Sequence, residues 1–293
     1  MISFKTIEHL TFKEAHKLFT RGFEGYFVPM QMSLDAFVAR LGNEGLSTEL
    51  SVVMFDEDIP IGIVLQGIRE VDGQKIAWNG GTGIIPEYRG KKLGTILMEK
   101  ALELLKQQSV SVATLEALTV NHPAIKLYEK IGYEVIDTLH FWEADGVLPF
   151  DEDVASEFSL KRIPALQAAN AGIFPTLVPW QVDPSIIPKV GGEAVIATKN
   201  EEVLAACLVK TKQQYGSEVE GVTLFQAVLN KEDEEGERAL HAVLQEGLYF
   251  QHSLKRTTYN LVDYKQKTLS FLQNQGFKKM ELSQVFMVKK FLT

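Results

Sequence analysis

A single cysteine, Cys207, stands among 293 residues. That excludes an internal disulfide and any zinc cluster built on cysteines. Long apolar runs are missing as well: none approaches the roughly 20 residues a membrane-spanning helix requires. The Met1–Leu10 start lacks the basic stretch followed by an apolar one that marks a secretory leader. Positive charge is scarce, with 30 Lys and Arg against 38 Asp and Glu and a net charge of −8. A nucleic-acid binder would show a basic face, so that class is set aside. These absences predict a cytoplasmic protein with neither a membrane nor a nucleic acid as partner. What remains is globular material, 45% hydrophobic and 23% charged, and enough of it for one large or two ordinary domains.

The stretch Ile84–Thr95, Ile-Ile-Pro-Glu-Tyr-Arg-Gly-Lys-Lys-Leu-Gly-Thr, organises the first half. An apolar run ends at Ile84 and Ile85, and Pro86 stops ladder pairing. After a basic, glycine-bearing turn, Leu93, Ile96, Leu97, Ala101 and Leu104 recur at helical spacing. Strand, turn and helix in that order leave the first helical N–H groups unpaired at the positive end of the dipole, where they can grip a phosphate. Arg89, Lys91 and Lys92 bring cations, and Gly90 and Gly94 let backbone approach a ligand. The bland alternative is a solvated turn.

Pro-Glu-Tyr-Arg-Gly-x-x-Leu-Gly resembles the acetyl-coenzyme A loop of the GNAT superfamily of N-acetyltransferases, whose core pattern is (Gln/Arg)-x-x-Gly-x-(Gly/Ala). Arg89 takes the first place and Gly94 the last, while Lys92 stands where the family has its middle glycine. A second match lies downstream. Asn121-His122-Pro123-Ala124-Ile125-Lys126-Leu127-Tyr128-Glu129-Lys130-Ile131-Gly132-Tyr133 fits the family's Asn-x-x-Ala-x-x-Leu-Tyr-Glu-Lys-x-Gly-(Phe/Tyr) at every specified place.

The resemblance implies an α/β (α+β) fold, a mixed, mostly antiparallel central sheet flanked by helices. It also implies acetyl-coenzyme A as cosubstrate, held by Ile84, Ile85, Arg89, Gly90, Lys91, Lys92, Leu93, Gly94, Thr95 and Asn121, with no metal. The pantetheine arm would enter a gap beside a bulged fourth strand, and the glycines in Trp78-Asn79-Gly80-Gly81-Thr82-Gly83 suit such a bulge. Tyr128 sits where the family places the acid for the departing thiolate. Glu116 occupies a strand position used as general base in some relatives, with a solvent-facing salt bridge as its equal alternative. The apolar loop Tyr26–Met32 either packs on the core or lines an acceptor pocket.

Thr11 and Glu14 form a capping-box pattern at the first helix, and Ser33 opens a second. Two β-rich runs, Leu50–Phe55 and Ile59–Gln66, join through Asp56-Glu57-Asp58 as a hairpin.

Displaced by 144 residues, the chain matches itself without gaps: Gly132-Tyr133 falls on Gly276-Phe277, Ile84-Ile85 on Val228-Leu229, and Asp56-Glu57-Asp58 on Asn200-Glu201-Glu202. Apolar positions agree at strand and helix periods together. Two tandem GNAT folds are expected: residues 1–143 binding acetyl-coenzyme A, 157–293 degenerate, and 144–156 as linker. The copies differ at the chemistry. Arg89-Gly90-Lys91-Lys92 falls on Asp233-Glu234-Glu235-Gly236, Tyr128 on Leu272 and Glu116 on Asn260. Carboxylates would repel a pyrophosphate. Pro175, Pro179, Pro184 and Pro188 occupy the place of the first copy's second helix and argue against a regular helix there.

The expected function is transfer of an acetyl group to a primary amine, small-molecule or peptide, by direct attack in the first copy. The alternative is a non-catalytic acyl-coenzyme A binding or sensing protein. The second copy could complete the acceptor pocket, cover a sheet edge or form a homodimer surface.

Overall fold

The computed structural model describes residues 1–71, 73–213, 218–262 and 265–291. In chain order the first half runs β1 (Ile2–Thr6), α1 (Phe12–Gly22), α2 (Leu34–Asn43), β2 (Ser47–Asp56), β3 (Ile59–Val71), β4 (Gln74–Ile84), α3 (Leu93–Gln107), β5 (Val112–Leu118), α4 (His122–Lys130) and β6 (Glu134–Ala144). The second half follows with α5 (Glu152–Ser156), β7 (Ser159–Pro164), α6 (Ala165–Asn170), β8 (Glu193–Lys199), β9 (Glu202–Gln213), β10 (Val219–Leu229), α7 (Glu234–Gly247), β11 (Lys255–Thr258), β12 (Leu261–Val262), α8 (Gln266–Asn274) and β13 (Lys278–Lys290).

The chain forms two compact units, one of Met1–Ile136 with Val285–Thr293, the other of Asp137–Gln284. Each copy thus gives the end of its last strand to the other unit. The expected boundaries, 1–143 and 157–293, differ from these for that reason. The stretch 144–156 carries α5 and places Leu148 and Val154 in the core of the second unit, so apolar burial fixes what composition alone marked as linker.

In the first unit β1 to β4 pair antiparallel in sequence order, and β4 pairs parallel with β5. Helices cover both faces. Thr11 caps α1 with the full reciprocal pair: its hydroxyl accepts from the Glu14 N–H, and the Glu14 carboxylate accepts from the Thr11 N–H at 2.8 Å. Ala15, Leu18, Phe19 and Gly22 recur on one buried stripe of α1. Gly22 lets the end of α1 reach β4 so closely that a Cβ there would stand 3.1 Å from the Gly83 Cα. On the opposite face Gly62 receives Leu97 of α3, and α3 buries Leu97, Met98, Ala101, Leu102 and Leu105.

The second unit repeats the pattern. β7 to β10 are antiparallel, β10 pairs parallel with β11, and β6 closes that side antiparallel to β11 and β12. The 144-residue displacement sets α4 on α8 residue for residue, from His122 on Gln266 to Lys130 on Asn274. It fails at the start of the copy, where β7 begins 157 residues after β1. In place of α2 the second copy has two 3₁₀ turns, Trp180–Val182 and Ile187–Val190. The prolines forbid the interior helical hydrogen bonds.

Candidate active site

The first unit opens its sheet beside β4. Parallel pairing of β4 with β5 runs from Ile76 opposite Val112 to Asn79 opposite Leu115, whereas β4 continues to Ile84 and β5 to Leu118. The parting starts at a bulge. The β3–β4 register jumps between Leu65–Gly81 and Gln66–Asn79, which leaves Gly80 out of the ladder. Asn79 closes the bulge on itself, donating from Nδ2 to Thr82 Oγ1 at 2.8 Å and accepting the Gly81 N–H at 2.9 Å. The Gly80 carbonyl accepts from Arg40 Nη2 at 2.7 Å, and Arg40 Nε donates to Glu44 at 2.7 Å. Arg40 therefore braces the bulge from α2, a role no local motif announced.

Asn121 caps α4 through its side-chain oxygen, which accepts the Ala124 N–H at 3.3 Å. That start directs Tyr128, two turns on, into the interior, where it is 8% exposed. Burial pushes its phenol up to about 12, and an interaction with the Thr82 hydroxyl pulls the other way. Tyr26 stands beside it, its own phenol raised by burial and met by the Asn121 side chain. Thr82, Tyr26, Asn121 and Tyr128 thus gather at the parting of the strands. Tyr128 and Asn121 came from the motif. Tyr26 lay in the apolar loop and Thr82 in the glycine run, each marked only as a region.

The turn before α3 is tied down on several sides. Ile85 N–H donates to the Ile61 carbonyl at 3.0 Å. Arg89 Nε donates to the Ile84 carbonyl at 2.8 Å and Nη2 to the Gly22 carbonyl at 3.0 Å. The Arg89 guanidinium thus stitches the turn to β4 and α1, and Ile84 O and Ile85 N–H have protein partners in this arrangement. Arg21 pairs with Glu87 at 2.5 Å, and Tyr88 donates to Asp56 at 3.1 Å.

Beyond these ties the backbone is shaped for close approach. Gly90 has φ 76° with nothing within 4 Å of where a Cβ would stand. Lys92 takes a left-handed φ of 61° at the N-cap, the conformation that explains why glycine is usual at this place. No side chain caps α3. Leu93 and Gly94 begin the helix, the Thr95 N–H already bonding to the Lys92 carbonyl at 3.2 Å. Gly94 serves packing: a Cβ there would stand 2.8 Å from the Leu127 side chain of α4. Lys91 lies with its ammonium 4.7 Å from the Tyr88 ring.

Glu116 accepts the Trp78 indole N–H at 2.7 Å. That bond ties one carboxylate oxygen to the β4 side chain, a structural partner the sequence position did not announce.

The second copy keeps the outline and fills it. Its β9–β10 register jumps at Phe225, so the bulge persists. Gln226 donates from Nε2 to the Val182 carbonyl at 2.6 Å, and Tyr259 donates to Gln181 at 2.7 Å. The 3₁₀ segment around Trp180, itself 1% exposed, thereby sits against the bulged strand. A cavity of only about 10 Å³ is left, lined by Val178, Val182, Gln226 and Asn260 among others. At α7 the Asp233 carboxylate accepts the Gly236 N–H at 2.9 Å, and the Lys231 carbonyl crowds Gly236 so that a Cβ would meet it at 1.9 Å.

Residues 13–133 match the acetyltransferase (GNAT) family. They form a GNAT domain. A 51-residue segment is 45% identical to a Bacillus subtilis protein provisionally named a ribosomal protein bS18-alanine N-acetyltransferase, covering 17% of this chain and 34% of that protein. A 64-residue segment is 34% identical to an N-alpha-acetyltransferase of Saccharolobus solfataricus, covering 22% and 38%. The chain spans about a third of the length of these curated relatives. Among solved structures, a tandem GNAT protein from the clavulanic acid biosynthesis pathway superposes with a TM-score of 0.62 at 14% identity, over 99% of this chain and 98% of that one. That likeness shows the fold: two GNAT-like halves, each a mixed sheet flanked by helices. Among the described residues no helix is long and apolar enough to cross a membrane, and no three His, Cys, Asp or Glu side chains group as metal ligands.

Proposed function

We propose that the chain is an N-acetyltransferase that moves an acetyl group from acetyl-coenzyme A to a primary amine, with the first GNAT domain as its active half. The observation that carries this reading is the open parting of β4 and β5 with the buried Tyr128 phenol at its side. The uncapped start of α3 supports it, since free helical N–H groups and the dipole favour a pyrophosphate. Gly90, Lys91, Lys92, Leu93 and Gly94 would hold the phosphates, and the bulged stretch of β4 the pantetheine arm.

The neutral amine attacks the thioester carbonyl. A C–N bond forms, the C–S bond breaks, the thiolate takes a proton, and the nitrogen loses one to water. Tyr128, protonated across the physiological range, is placed to supply the thiolate's proton. Glu116, held on Trp78, is not assigned the base. The relatives named for N-alpha-acetylation suggest an N-terminal amine among the acceptors to be tried.

Thiol release from acetyl-coenzyme A with a panel of primary amines tests the proposal, alongside direct titration of coenzyme binding. Turnover with at least one amine is expected. The second reading, an acyl-coenzyme A sensor, draws support from the Glu116–Trp78 hydrogen bond, which engages one oxygen of the expected base. Binding with no turnover on any amine would establish that reading instead.

A further inference from the structure

The loop between α1 and α2 lines a pocket of about 660 Å³, the size of a small-molecule site. Its lining includes Arg21, Phe23, Glu24, Tyr26, Phe27 and Met30. Phe19, Phe23, Tyr26 and Phe27 follow one another with ring centroids 4.6, 5.4 and 5.6 Å apart, the last two contacts edge-to-face. The loop is anchored where it re-enters α2, His16 Nε2 donating to the Met32 carbonyl at 2.7 Å. Phe27, in the lining of this pocket, is 57% exposed, so its ring is open to a body that enters the pocket.

Charge narrows the choice. The lining cation, Arg21, is committed to Glu87. Glu24, the lining carboxylate, enters no ion pair among the described residues. The pocket therefore offers aromatic faces and one unopposed negative charge, and no free cation to receive a carboxylate or phosphate. Tyr26 links it to the reaction, since the same side chain that lines the pocket reaches Asn121 and stands beside Tyr128.

We infer that the acceptor is a primary amine borne on an apolar, ring-bearing or branched body without an adjacent free carboxylate. As the ammonium it is drawn in by Glu24 and the aromatic faces. Its body covers Phe27, and after losing a proton its nitrogen reaches the thioester past Tyr26. This inference rests on the proposed acetyl transfer and names its substrate class. The chemistry has two sources, a free arylalkylamine and a peptide beginning with a large apolar residue, both carrying the same group.

The test measures kcat/KM for 2-phenylethylamine, an amidated Phe-initiated peptide, spermidine and free phenylalanine, with acetyl-coenzyme A affinity titrated separately. One of the first two is expected to lead, by about tenfold or more over spermidine and phenylalanine. Phe27→Ala should raise KM for that leading amine about tenfold with acetyl-coenzyme A affinity unchanged, and Glu24→Gln about threefold. A lead for the amine marks the free source, a lead for the peptide the N-terminal source, and either supports the inference. Turnover led by spermidine or phenylalanine, or a KM indifferent to Phe27→Ala, would overturn it while leaving acetyl transfer standing. Coenzyme binding without any turnover would overturn both.

Discussion

At α3 the helix starts on Lys92, with no side-chain cap and no acidic residue in its first turn. At α7 it starts on Asp233, whose carboxylate fills the cap, with Glu234, Glu235 and Glu237 behind it. Lys231 folds onto Asp233 and Glu235 at 3.1 and 2.7 Å, and Lys199 onto Glu235 at 2.8 Å. A helix N-terminus must have its N–H groups satisfied by something. In the second copy the Asp233 carboxylate takes the Gly236 N–H, and in the first no side chain plays that part. The strand gap repeats the lesson, since Gln226 and Tyr259 hold a protein segment against the bulge in one copy while Thr82 and Tyr128 face each other in the other. The two copies thus differ in what their own chain puts into the same two places.

The sharpest way to erase the difference is at position 128, where the second copy has Leu272. Tyr128→Phe should lower kcat by about a hundredfold and leave the Kd for acetyl-coenzyme A unchanged. An equal kcat would remove the phenol from the acid role. The pH profile supplies a second check. Burial raises the phenol to about 12, so its proton is retained below about pH 10 and lost only as pH climbs toward that value. Activity should rise with pH as the amine deprotonates, with no decline from Tyr128 before pH 10.

Converting the turn before α3 to the sign found at α7 comes next. Lys91→Glu with Lys92→Glu should weaken acetyl-coenzyme A binding by about tenfold or more, and less so at high salt, because two exposed cations become two like charges facing the phosphates. Unchanged affinity would mean that backbone alone holds the pyrophosphate. The converse change is asymmetric. Asp233→Ala should lower the denaturation midpoint by removing a helix cap, yet give no second coenzyme site, because the 3₁₀ segment at Trp180 still lies against the bulged strand. Calorimetric titration showing two sites per chain would break the comparison.

How much of this could be read beforehand depended on whether the determinant was local. The cap at Thr11, the strand–turn–helix at Ile84–Thr95 and the repeat were legible because spacing and turn chemistry act over a few residues. That an acidic run stands at the start of α7, where the first copy has cations, was legible for the same reason. The partners of Arg89, the Ile84 and Gly22 carbonyls, were not legible because they are set by how α1 meets β4, a contact that depends on Gly22 and Gly83 together. Glu116 gave no sign of Trp78, its partner across the β4–β5 pair. The exchanged strand ends were invisible, since Glu134–Ala144 and Lys278–Lys290 read as ordinary terminal strands in either unit.

The smallest effect tests why the turn departs from its family at one residue. Lys92 holds φ 61° and ψ 10°, a conformation that costs a residue with a Cβ roughly 1–2 kcal/mol. Glycine removes that cost but returns about 0.5–1 kcal/mol through the freedom of the unfolded chain. Lys92→Gly should therefore raise stability by about 0.5–1 kcal/mol in a denaturant melt, while Lys92→Ala, which keeps the strain, should not. Both remove the same charge. If Lys92 acts on the phosphates through its ammonium, the two variants lose coenzyme affinity equally, by about threefold. If it acts through its backbone N–H, both retain it, and the family's glycine and this chain's lysine are equivalent as ligands. A stabilised glycine variant with unchanged affinity would show that the lysine is tolerated here at a cost in stability alone.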